Sequence, residues 1–189
     1  MHKLAERERG SANLIFSEGS PLHKIVRIGY LVRSTAFAYS FLVVGMHLWE
    51  RGTGPLAYVL LAAQFIVYPQ IVTLVARQVG NAKEFELRSQ YVDAFLLGAW
   101  IAGLGFPTWI AFGASFSTTL NAAVSRGLAG AGCSLALFCL GMLAWAVPAG
   151  FTYWAATSSL VTALCFFGSL AYATAIGSVV YRRTRERPS

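Results

Sequence analysis

The chain has 189 residues, of which 56% are hydrophobic, 14% aromatic and only 12% charged, about half the charge of a water-soluble domain. Residues 34–49, 52–76, 94–125 and 127–181 contain no Asp, Glu, Lys or Arg, and a membrane-spanning helix needs about 20 mostly apolar residues. Soluble enzymes, disordered regulators and secreted disulfide scaffolds are excluded, and the fold class is all-α: a polytopic transmembrane helical bundle. The net charge of +7 would suggest nucleic acid in a soluble protein. Here basic residues fix orientation from cytoplasmic loops, so no nucleic-acid partner is expected.

Residues 1–27 open with Lys3, Glu6, Arg7, Glu8 and Arg9 and lack the apolar core of a cleaved signal peptide. They read as a cytoplasmic tail. Helix one is predicted from Ile28 to Trp49, with Arg33 one turn inside and its guanidinium snorkelling back to the headgroups. A turn at Gly52-Thr53-Gly54-Pro55 leads to helix two, Pro55 to Ala76, kinked by Pro69. Arg77 to Tyr91 is polar and reads as a cytoplasmic helical extension carrying an i,i+4 pair, Glu84 and Arg88.

The 94–125 stretch is one long span or two short ones divided at Gly103-Leu104-Gly105-Phe106-Pro107. The 127–181 stretch is too long for one span and breaks at Pro148-Ala149-Gly150, a turn signal, giving helices near 127–147 and 153–181. Residues 182–189 form a basic cytoplasmic segment in which Arg182, Arg183, Arg185 and Arg187 reach anionic lipid headgroups.

Charge decides between five and six helices. With six, both termini are cytoplasmic and Arg51 alone of the 15 basic residues lies outside. With five, Arg126 and the four C-terminal arginines join it. The positive-inside tendency favours six. Trp49, Trp109, Trp145 and Trp154 then lie toward the outer boundary and Tyr30, Tyr91 and Tyr181 toward the inner one, as interfacial rings prefer.

Small residues permit close helix contact in lipid. Ala94, Gly98 and Ala102, continued by Gly105, make one candidate seam. Ser169, Ala173 and Gly177 make another. Each serves within the protomer or between protomers. Cys133, Cys139 and Cys165 lie in apolar runs without ligand spacing, and packing is their default role. No catalytic motif occurs, so no catalytic residue, metal or cofactor is assigned.

Ionisable groups at membrane depth are functional candidates: Arg33, His47, Glu50 and Asp93. Asp93 and Arg33 fall near the same boundary, either as a salt bridge or each facing headgroup water. His47 and Glu50 share a helical face. An interfacial contact without a ligand outweighs half of a metal, quinone or proton-sensing site, because two ligands do not complete a coordination shell. His2 and His23 lie in the tail. Gln64 and Asn121 suit interhelical hydrogen bonds.

Tyr68-Pro69-Gln70, then Glu86, Asp93-Ala94, Gly98-Ala99-Trp100 and Asn121 resemble the second type of bacterial membrane-associated sensor domain, over roughly residues 25–181. The resemblance implies a six-helix sensory or anchoring domain, 28–181, in the bacterial inner membrane. It implies a homodimer in contact with membrane lipid, coupled in cis or in trans to a cytoplasmic diguanylate or adenylate cyclase. It carries over Glu86, Asp93 and Asn121 as ligand or signal-coupling candidates, beside Arg33, His47 and Glu50. The rival functions are a small transporter or channel and a passive membrane anchor or assembly subunit.

Overall fold

A computed structural model describes residues 21–79 and 81–185, and no strand occurs among them. The elements are α1 (Pro21–Glu50), α2 (Pro55–Ala62), a π-helical turn (Ala63–Val67), α3 (Tyr68–Gln78), α4 (Ala82–Gly103), α5 (Thr108–Ala149) and α6 (Ser159–Arg185). Pro55–Ala76, Thr108–Ala149 and Ser159–Tyr181 are long and apolar enough to cross a membrane. By length α1 and α4 also suffice, but they carry the buried charges described below.

α1 begins at Pro21, not near Ile28, and so takes in residues expected in the tail. Proline suits a first helical turn, where its missing N–H costs nothing. Residues 1–20 lie outside the described residues, as do Arg187 and the side chains of His23, Tyr30, Arg182 and Arg183. α2 and α3 run on as one rod through the π turn. Pro69 has no N–H to give and its ring crowds the carbonyl one turn back, and the turn widened from α to π lies directly ahead of it. The expected kink therefore takes the form of a π bulge. The rod ends at Val79, whose ψ of 133° is extended, and Asn81 caps α4 by accepting the Glu84 N–H at 3.2 Å.

α5 is interrupted. Gly127 has φ 69° and ψ −160°, which no helix accommodates and which glycine alone adopts readily. It divides the element into 108–126 and 128–149, pieces of about 28 and 33 Å at 1.5 Å per residue. The stretch 150–158 forms no regular secondary structure, and the helix expected from 153 starts at Ser159. Its backbone is otherwise engaged: the Trp154 N–H donates to the Gly105 carbonyl at 2.6 Å, and the Thr108 N–H donates to the Ala155 carbonyl at 3.1 Å.

The core centres on Val44, Leu48, Leu61, Phe65, Ile101, Phe138 and Val161. The closest packing lies between α4 and the second piece of α5, which run parallel. A Cβ added to Gly98 would collide with the Phe138 carbonyl, and one added to Gly141 with the Phe95 carbonyl. The Ala94–Gly98–Ala102 stripe is thus a seam inside the protomer. The second stripe packs differently: Ser169 faces Gly113, while Gly177 meets only open space. Cys165 is buried as expected, but Cys133 and Cys139 are exposed. They occupy the outward face of 128–149, so the packing role fails for those two.

Candidate functional site

The bundle has two polar ends. At one, the turns 50–54 and 103–107 and the stretch 150–158 come together. Arg51 donates to the Leu104 carbonyl at 2.6 Å and its guanidinium lies 5.3 Å from the Trp154 ring centroid, a cation–π contact. Glu50 accepts the Ser158 hydroxyl at 2.7 Å. Phe106, held at φ 60°, stacks on Phe151. We call this the hairpin end.

At the other end, here the charged end, α1, α3 and α4 converge on a buried guanidinium. Arg33 is 8% exposed. Its Nε lies 3.2 Å from Asp93 Oδ2, its Nη1 3.3 Å from Glu86 Oε2, and its Nη2 donates to Ser89 Oγ at 2.6 Å. The Tyr68 hydroxyl donates to Asp93 Oδ1 at 2.7 Å, and Ser89 Oγ donates to the Glu86 carbonyl at 2.8 Å. The sequence places these groups together by helical spacing: Glu86, Ser89 and Asp93 are three and four apart and share one face of α4. The expected snorkelling of Arg33 is overturned, because two carboxylates and a hydroxyl satisfy it inside the protein. Of the two readings of Arg33 and Asp93, the salt bridge is the one formed.

A buried charge costs several kcal/mol unless it is paired and hydrogen-bonded. Asp93 has a partner on each oxygen, and Glu86 reaches toward solvent at 25% side-chain exposure. The cluster holds one guanidinium and two carboxylates. Beyond it, Glu84 bonds Arg88 at 3.0 Å and Arg126 at 3.3 Å, and Arg126 sits 5.2 Å from the Tyr91 ring centroid. The hydrogen bond from Arg88, helped by Arg126, holds the Glu84 carboxyl below the usual carboxylate range.

The remaining candidates lie elsewhere. His47 and Glu50 do not bond each other: Glu50 turns to Ser158, while His47 is 2% exposed with its Nε2 unpaired among the described residues. Gln64 Nε2 is likewise buried and unpaired, and the Asn121 side chain bonds no described residue. Among the described residues, neither makes the interhelical hydrogen bond expected of it. Among the described residues no group of three or more His, Cys, Asp and Glu could hold a metal ion. The sequence reading missed Tyr68 and Ser89. Ser89 was signalled by its spacing from Glu86 and Asp93, and Tyr68 by its place in the Tyr68-Pro69-Gln70 motif of the family resemblance, where it was given no site role.

Between the two ends, α1, the π-helical turn, α4, the 108–126 piece and α6 line a cavity of about 520 Å³. Phe65, Leu97, Trp100, Ile101 and Ile110 line it on the inner side and the α6 residues Cys165 to Ala175 on the other. Tyr39 joins α1 to α6 at its edge: its hydroxyl donates to the Leu164 carbonyl at 2.7 Å and its ring lies against Gly168, where a Cβ would strike it.

Residues 29–113 match the profile of the MASE2 domain, a membrane-associated sensor domain found in cyclase-containing proteins. The family resemblance read from the sequence is shown over that stretch, which runs from α1 into α5 and contains the whole Arg33 cluster. Asn121 lies beyond it. No curated protein and no solved structure matches the chain.

Proposed function

We propose that residues 28–181 form a six-span sensory and anchoring domain of the bacterial inner membrane, with both ends in the cytoplasm. It acts as a homodimer in membrane lipid and couples a membrane or small-molecule signal to a diguanylate or adenylate cyclase, supplied in cis or in trans. The observation that carries this reading is the MASE2 match over 29–113. The geometry supports it. Dividing α5 at Gly127 makes six rods, and the turn 50–54, the turn 103–107 and the stretch 150–158 meet at one end. The basic residues among the described ones then stay on the opposite side, save Arg51, in keeping with the positive-inside tendency. Arg33, Glu86 and Asp93 act in coupling: their cluster ties α1, α3 and α4 together at the cytoplasmic end, where a change of packing reaches the output. His47, Glu50 and Asn121 remain weaker candidates.

A signal shifts a two-state bundle only by its differential affinity for the two packings. The test is a dimer-dependent cyclase fused after residue 187, with Asp93→Asn and Glu86→Gln compared with the parent. Altered basal or signal-dependent output at normal insertion supports the coupling role; unchanged output in both variants removes it. Robust solute flux by the isolated chain in liposomes would replace the sensory reading with transport.

A further inference from the structure

We infer that the cavity between α1 and α6 binds a single-chain amphiphile with an uncharged hydroxyl head, the alkyl chain lying lengthwise toward the hairpin end; this rests on the sensory reading above. The pocket is elongated. Its α6 wall from Cys165 to Ala175 measures about 15 Å at 1.5 Å per residue, matching an extended medium-length alkyl chain. Thr35, Tyr39, Ala171 and Ala175 line the pocket and are exposed on the outside of the bundle. The mouth therefore opens sideways between α1 and α6, where an amphiphile dissolved in the bilayer would enter.

The polarity is graded. Toward the hairpin end the walls are Val44, Leu104 and Ile110, toward the charged end they carry Thr35 and Tyr172, and Ser40, Ser117 and Ser169 lie between. The hydroxyls of Thr35, Ser169 and Tyr172 bond no described residue, although hydroxyls in membrane helices usually find a partner. They can both donate to and accept from a ligand hydroxyl.

Charge sets the head group. Asp93 is one turn from the lining residue Leu97. With Glu86 it outnumbers Arg33, which is already bound to both. A fatty-acid carboxylate would meet net negative charge in a low-dielectric site. A cation would be desolvated without a carboxylate in the lining to pair it. A neutral hydroxyl avoids both costs.

The test uses the full 189-residue chain in lipid nanodiscs with a diazirine-bearing analogue of 1-dodecanol, crosslinked and mapped by peptide mass spectrometry. Adducts concentrated on 35–44 and 165–175, competed at least tenfold better by 1-dodecanol than by dodecanoate or dodecylammonium, are expected. Gly113→Leu, filling the pocket beside Ser169, should reduce labelling at least fivefold. Ala175→Phe, blocking the mouth, serves the same purpose should the first variant misfold. Labelling spread over the outward Phe166, Phe167 and Leu170 means partition into lipid only and overturns the proposal, as does equal competition by the charged analogues. Site-specific labelling with a fused cyclase that ignores dodecanol supports the pocket and overturns the sensory reading. A responsive cyclase with scattered labelling overturns the pocket alone.

Discussion

The seam between α4 and 128–149 and the seat of α6 solve the same packing problem in opposite ways. In the first, Gly98 and Gly141 let two backbones touch, and the contact has no slack. In the second, only 6% of the most apolar window of Ser159–Tyr181 is buried, against 33% for Pro55–Ala76. α6 is held chiefly by Val161, Cys165 and the Tyr39 bond to Leu164. Hydrophobicity does not drive helices together in lipid, so close packing marks fixed elements and loose packing marks those free to shift. One side of the cavity is therefore a tightly packed frame, and the other is the more loosely held wall, the one expected to move.

The sharpest way to break this contrast is steric. Gly98→Val drives a side chain into the Phe138 carbonyl, and overpacking of this kind costs about 1–3 kcal/mol, more where backbone must move. Loss of monodisperse protein in size-exclusion chromatography is expected. Gly177→Val, into open space on α6, should stay within about 0.5 kcal/mol of the parent. Equal effects would erase the distinction.

Next in size is the ion cluster. Arg33→Ala strands Asp93 and should cost about 3–5 kcal/mol in thermal unfolding. Replacing both at once, Arg33→Met with Asp93→Leu, should restore much of it. Glu86→Gln should cost less, because its carboxylate is partly solvated. Tyr39→Phe removes one neutral hydrogen bond, about 1 kcal/mol. Its signature is faster amide exchange in α6 with α4 unchanged. The smallest effect is at Glu84. Its depressed carboxyl contributes stability that is fully present above the unfolded value of about 4.3 and lost as pH falls through the lower folded value. Glu84→Gln should flatten the melting temperature against pH in that window.

Much of this was legible in the sequence because membrane spans are written as charge-free runs. The Pro55–Ala76 span coincides with the expectation, and the α4 seam follows from small residues at every fourth position. What was not legible depends on tertiary partners. Arg33 alone reads as a snorkelling residue; only the arrival of Glu86, Ser89 and Asp93 from α4 makes burial the better solution. The outward placement of Cys133 and Cys139 was not legible, because composition cannot say which side of an apolar helix meets protein. The late start of α6 follows from backbone bonds to Gly105 and Thr108, more than forty residues away along the chain. The cavity has no sequence signal at all, since it is the space that five separate segments leave unfilled.

The most direct test of a fixed frame beside a movable α6 is a pair of pulsed-EPR distances in nanodiscs, with Cys133, Cys139 and Cys165 replaced by alanine. One pair, Arg88→Cys with Ser178→Cys, spans α4 and α6; the other, Arg88→Cys with Leu128→Cys, stays within the frame. On adding 1-dodecanol the first distribution should shift or narrow while the second stays fixed. A frame distance that moves as much as the α6 distance, or an α6 distance already as narrow as the frame and unmoved by ligand, would contradict the account.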